Sequence, residues 1–235
     1  MAGLDREIIT EVMRYCNRDI VPDETFSIDE EYPSNWFCEY FSFLGDEKIQ
    51  RQLGDAFYQA RFLYKLMCGL RLPLSKQRGV VKFQIVQYAS ICEAVLDVAI
   101  LKYFKTEAEE KLSVTELHKE QNALAKDVTL SRGKTPLYVC REKKKKGDLK
   151  RTRVDAKTKF AAEKGLLTQD LKDRLDALYD LRNNIHIIKA AETEYNPKLR
   201  EARDGFELMR ELVGFIRDYY QTHAERTNEN PGTAE

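Results

Sequence analysis

The sequence predicts an all-α fold: a helical bundle with an N-terminal helical extension and a basic loop insertion. Three observations carry this. Glycine (11) and proline (6) are sparse in a chain of 235 residues, so breakers are few and helices should be long. Apolar residues recur at spacings of three and four over several stretches. Charged residues make up 33% against 43% hydrophobic, a balance suited to helices with one face in water.

Taken in order, residues 4–17 carry a short helical pattern through Leu4, Ile8, Ile9, Val12, Met13 and Cys16. The acidic, turn-rich "RDIVPDETFSIDEEYPSNW" reads as a loop. Leu53, Phe57, Ala60, Leu63, Tyr64, Met67 and Leu70 then mark a helix that Pro73 ends. Residues 1–73 are thus an N-terminal helical layer, and 74–225 form the main helical domain. Within the latter, residues 77–105 are apolar nearly all round, the signature of a central helix. Glu93 is the odd residue there, either partly solvated on a helix face or buried and in need of a cation such as Arg182.

Residues 110–130 read as a charged helix followed by a less regular piece, and "TPLYVC" as a short strand or extended segment. The insertion, about 131–155, holds a basic block of Arg141, Lys143, Lys144, Lys145, Lys146, Lys150, Arg151 and Arg153, with Gly147 in its middle. A mobile loop is expected, either a solvated surface or an arm that binds RNA phosphates. "DAKTKFAAEKGLL" gives a short helix ending at Gly165, and Thr168 is placed to cap the next one. A last helix covers about 197–222, with an apolar stripe from Leu199 to Tyr220, and the polar tail 226–235 should be disordered.

Lys+Arg and Asp+Glu both number 39, so net charge gives no sign of a nucleic-acid partner and only local clustering can. Five scattered cysteines (Cys16, Cys38, Cys68, Cys92, Cys140) form neither a disulfide framework nor a C-x-x-C zinc motif. A reducing cytoplasm is the natural setting. No secretory leader and no uninterrupted apolar run of membrane-spanning length are evident. No G-x-x-x-x-G-K-[ST] loop is present, so nothing suggests a P-loop NTPase. No metal or other cofactor is implied.

The stretch "LRNNIHIIK", residues 181–189, carries the chemistry. With Leu171 at zero and about 100° per residue, Leu175 falls near 40° and Leu178 near 340°. Arg182 lands near about 20° and His186 near about 60°, inside or at the edge of that leucine stripe. Asn183 and Asn184 point elsewhere. A stripe that turns from leucine to arginine and histidine meets a polar partner or opens into a cleft. A satisfied core Arg–His pair bonded to a carboxylate such as Glu93 is the other reading.

The segment "FAAEKGLLTQDLKDRLDALYDLRNNIHIIKA" resembles the HEPN superfamily (higher eukaryotes and prokaryotes nucleotide-binding domain), with Arg182, the polar Asn183 and His186 matching its motif. The helix "QYASICEAVLDVAIL", with its embedded Glu93, is similar too, and the resemblance spans about 77–222. Three residues separate Arg182 from His186, tighter than the family's commonest spacing, and Ile188 stands where members regulated by nucleotidylation carry tyrosine.

The resemblance implies a helical bundle and a metal-independent endoribonuclease of phage defence, toxin–antitoxin or stress response. Two Arg–His motifs would face each other across a homodimer cleft. Arg182 would then hold phosphate, His186 move protons, Asn183 orient the pair and Glu93 position Arg182. The lysine run would recruit RNA. The implied partners are RNA, a second copy, and an antitoxin or other operon-encoded protein, with no membrane. A non-catalytic module that binds RNA or a nucleotide, or scaffolds a partner, is the alternative.

Overall fold

The computed structural model describes residues 6–17, 36–112, 114–123, 138–145, 148–185, 189, 192 and 194–229, of which 17, 114–123, 138–145, 150 and 224–229 are described by their backbone alone. The fold is all-α, with a two-stranded hairpin set into it. The helices are α1 (Arg6–Asn17), α2 (Trp36–Glu39), α3 (Glu47–Gly69), α4 (Leu74–Tyr103), α5 (Lys105–Lys111), α6 (Val154–Glu163), α7 (Gln169–Asn184) and α8 (Leu199–Glu229). The hairpin strands are β1 (Val114–Ala123) and β2 (Tyr138–Lys145).

Local chemistry sets the boundaries. Asp46 caps α3 by accepting from the backbone N–H groups of Lys48 (2.9 Å) and Ile49 (3.1 Å). Pro73 stands at the start of α4, where its missing N–H costs no helical bond. Gly165, at φ +74°, turns the chain between α6 and α7, and Thr168 caps α7 through the Leu171 N–H at 3.2 Å, as its sequence position implies. The last helix runs to Glu229, beyond the end near 222 that the apolar stripe suggests and into the tail expected to be disordered.

α4 is the axle. It packs against α3, α5, α6, α7 and α8, while α1 and α2 lie on α3. Ile85, Tyr88, Ile91, Cys92, Val95, Leu96 and Ile100 of α4 are buried with Leu171, Leu175 and Leu178 of α7 and Met209, Leu212 and Ile216 of α8. Leu53, Phe57, Ala60 and Met67 of α3 belong to the same cluster, so the boundary at 73/74 falls within a continuous core. Phe57 knits the two sides, meeting Phe37 at 5.1 Å and Phe206 at 6.0 Å between ring centroids. At Gly54 a side chain would strike the Cys38 backbone at 2.9 Å, which is what lets α2 lie so close to α3.

By length and composition α4 reaches what a bilayer-crossing helix needs, unlike the sequence expectation, with a mean hydropathy of 1.4 in its most apolar 18-residue window. In the fold 56% of that window is buried, and Gln84, Glu93 and Asp97 of α4 each bond to a neighbouring helix. The short helix α5 is tied to α6 by Lys111 with Glu163 and by Lys164 with Glu107 (3.0 Å).

Two expectations for the insertion change. Residues 114–123 form β1 rather than the end of a charged helix, and much of the basic block is strand rather than loop. Lys143, Lys144 and Lys145 lie on β2, with Glu116, Thr115 and Val114 as their register partners on β1. The ladder has an irregularity between Lys119 and Ala123. Lys146 and the segment 124–137 lie outside the described residues.

If the N-terminal layer shares one cooperative core with the rest, Phe57→Ala lowers global stability by about 3–5 kcal/mol. Urea unfolding followed by far-UV circular dichroism and by Trp36 fluorescence would then give coincident transitions, shifted together. A fluorescence transition that moves alone marks residues 36–69 as a separate unit.

Candidate functional site

Two carboxylates on α4, Glu93 and Asp97, stand one helical turn apart and repel each other if left alone. Lys157 of α6 resolves this. Its Nζ donates to Glu93 Oε1 at 3.0 Å and to Asp97 Oδ2 at 2.8 Å. The lysine side chain is 1% exposed, the carboxylates 27% and 22%. From α7, Arg182 Nη1 approaches Glu93 Oε2 at 3.7 Å, an ion pair too long for a hydrogen bond. Two cations and two anions from three helices thus form one cluster.

Burial pushes the Asp97 carboxyl above its ordinary 3.8, and Glu93 adds to the shift while Lys157 opposes it. Its second oxygen, Oδ1, is buried without a hydrogen-bond partner. The flanking bonds hold the frame. Tyr179 of α7 donates its hydroxyl to the Ala89 carbonyl of α4 at 3.0 Å, and burial, reinforced by nearby negative groups, raises that hydroxyl's pKa well above the ordinary tyrosine value. Thr158 of α6 donates to Asp176 Oδ1 of α7 at 2.7 Å, while Lys172 Nζ donates to the other oxygen at 2.9 Å.

The sequence-derived residues fall out unevenly. Arg182 and Glu93 come together at the C-terminal turn of α7. Asn183 is exposed beside them. His186 lies outside the described residues, and α7 ends at Asn184 rather than running on to Lys189. Of the basic block, Arg151 pairs with Asp148 (3.7 Å) and Arg153 with Asp155 (3.2 Å), so neither is a bare cation. Lys150 sits in a 3-10 turn over Leu149–Arg151. His223 stacks on Tyr219 with 3.9 Å between ring centroids.

Lys157 and Asp97 were not singled out by the sequence reading. The signal for Lys157 is helical spacing: Val154, Lys157, Thr158 and Ala161 share one face of α6, and a lysine on such a face needs a buried counter-charge. No family model matches the chain, and neither a curated protein nor a solved structure shows significant similarity to it.

Replacing Lys157 by methionine keeps the packing volume but leaves two carboxylates facing each other, so stability should fall by about 3–5 kcal/mol. Adding Glu93→Gln and Asp97→Asn to that variant should restore most of it, because no carboxylate is then left buried without its cation and only the part-exposed Arg182 keeps a charge. Thermal and urea unfolding of the two variants decide this, and a triple variant no better than the single one refutes it.

A second outcome concerns pH. A carboxyl whose folded pKa is raised holds its proton more tightly folded than unfolded, so its contribution to stability falls as pH rises from its ordinary 3.8 through the raised value. Asp97→Asn lacks that titration. Its stability relative to the parent should therefore improve as pH rises through this interval, read from urea midpoints at each pH. A difference that moves the other way overturns the assignment.

Proposed function

We propose that the chain is a metal-independent endoribonuclease of the HEPN type, serving phage defence, a toxin–antitoxin pair or a stress response. One observation carries the reading. The stripe of α7 that buries Leu171, Leu175 and Leu178 surfaces at Arg182, which is 36% exposed and held beside Glu93. A core-facing stripe that ends in a tethered, solvent-reachable guanidinium provides a fork for phosphate oxygens.

The chemistry follows from the residue types. The ribose 2′-hydroxyl attacks the adjacent phosphorus, the 5′-oxygen leaves, and a 2′,3′-cyclic phosphate and a 5′-hydroxyl result. One group must take the proton from the attacking hydroxyl and another must return one to the leaving oxygen, and histidine titrates in the range that suits both. His186 occurs once per chain in the motif, so a symmetric homodimer supplies the pair, with Arg182 stabilising the charge on the phosphorane. Asn183 orients the motif, Glu93 fixes Arg182, and Lys143, Lys144, Lys145, Lys146, Lys150, Arg151 and Arg153 draw in RNA through their charge.

A second reading, a non-catalytic module of the same type that binds RNA or a nucleotide or scaffolds a partner protein, has its own support. The four charges of the cluster balance, which leaves Arg182 already engaged, and three residues separate it from His186.

The two readings separate in an RNA-cleavage assay run in EDTA. The parent should cleave and leave cyclic phosphate ends. His186→Ala, with an unchanged circular dichroism spectrum, should lose activity by about 100-fold or more. The active species should elute as a dimer. RNA binding without turnover by both proteins selects the module, and neither binding nor cleavage rejects the nuclease and the RNA-binding form of the module.

A further inference from the structure

The opposite side of α4 carries a second polar feature. Gln84 and Glu93 lie nine residues apart, which is about 180° around the helix and about 13 Å along it. On the Gln84 side, α3, α4 and α8 line a half-open cavity of about 700 Å³. That volume suits a small organic molecule.

The cavity wall holds two buried polar side chains with unmet hydrogen-bonding capacity. Gln84 is 2% exposed and Tyr88 is 1% exposed. Gln84 Nε2 donates to the Ala60 carbonyl at 3.2 Å, which fixes the amide and leaves Oε1 without a partner. The Tyr88 hydroxyl faces the Gln84 amide and the Arg61 guanidinium, but no hydrogen bond of full geometry completes it. Both residues line the cavity, with the two polar atoms themselves buried behind its surface, so a ligand reaches them as the wall adjusts around it.

Arg61 of α3 lines the same space. Among the described residues no carboxylate lies within ion-pair distance of it. Its guanidinium instead lies over the Phe206 ring (4.4 Å to the centroid) and near that of Tyr64 (5.2 Å). Its positive charge is the largest influence opposing the burial that raises the Tyr88 pKa, so guanidinium and hydroxyl act on one locality. The first turn of α8 completes the wall through Leu199 and Arg200, adding the positive end of a 31-residue helix. Among the described residues Arg200 and Arg203 pair with carboxylates of their own helix, Asp204 at 3.6 Å and Glu207 at 3.5 Å.

We propose that this cavity binds a small aromatic or heteroaromatic acid that also carries a hydrogen-bond donor. Its anionic group meets Arg61 and accepts from the Tyr88 hydroxyl. Its donor answers Gln84 Oε1, and its ring lies against Phe206 and Tyr64. A neutral ligand of the same shape leaves Arg61 uncompensated, so charge is the discriminating feature.

The test is isothermal titration of the full chain with indoleacetate, hydroxybenzoate and adenosine monophosphate, each beside its neutral counterpart, indoleacetamide, hydroxybenzamide and adenosine. At least one acid should bind the parent, and its neutral counterpart should bind about 10-fold or more weakly. Preference for the carboxylates or for the phosphate assigns the anion. Arg61→Gln and Tyr88→Phe, the second a single-atom deletion that spares the packing, should each weaken binding by about 10-fold. Lys105→Gln, on α5 and outside the cavity wall, should leave it unchanged. The proposal fails if no acid binds into the millimolar range, if neutral counterparts bind equally well, or if acid binding ignores both cavity variants.

Discussion

The buried ammonium of Lys157 is the constraint on which the middle of the structure depends. A lysine 1% exposed is tolerated only where its charge is matched and its protons are accepted. Glu93 and Asp97 accept at 3.0 and 2.8 Å, and in return they gain a cation that offsets their mutual repulsion. The exchange locks α6 onto α4 at a set rotation and height. Greasy contacts alone tolerate sliding, but hydrogen bonds to two carboxylates a turn apart do not.

The position of Arg182 is a consequence of that lock. α6 holds α7 through Thr158 and Asp176, and α4 holds α7 through the Tyr179 hydroxyl on the Ala89 carbonyl. With α7 fixed at these points, the leucine face meets α4 until the helix outruns the core, and Arg182 arrives beside Glu93. Glu93 therefore serves two cations. Its bond to Lys157 is the shorter and the drier of the two, and its contact with Arg182 at 3.7 Å is loose enough to yield to a phosphate.

How far this was legible from sequence differs element by element. The all-round apolarity of 77–105 points to a central helix, and the Thr168 cap and the leucine spacing of α7 are local signals that the fold keeps. The pairing of Glu93 with Arg182 is long-range, yet a lone carboxylate in an apolar helix and an arginine on a leucine stripe each ask for an opposite charge. The hairpin was legible only where "TPLYVC" reads as extended and its last three residues open β2, and the rest was masked for a physical reason. "VTELHKEQNA" and "YVCREKKK" have charged residues at both parities, so no two-residue hydrophobic alternation distinguishes strand from charged helix, and pairing between distant segments decides. Lys157 was missed because one lysine among several in "DAKTKFAAEK" looks like solvated surface until the helix phase is taken from its neighbours.

Two arginines on either side of α4 show how context sets the use of one side chain. Arg182 rests against a carboxylate, so an anion that engages it must compete with Glu93, which a multivalent anion does better than a single charged group. Arg61 rests against aromatic faces, where its charge is drawn to the rings but not neutralised, so a single anionic group is enough to engage it. The two sites face away from each other around α4, and Gln84 and Tyr88 share no bond with Glu93 or Asp97. Any influence of one on the other must pass through the helix as a rigid body. α4 is pinned by Lys157 on one side and by the Gln84 bond to α3 on the other, so it resists rotation, and the physics of the fold favours two sites that act independently.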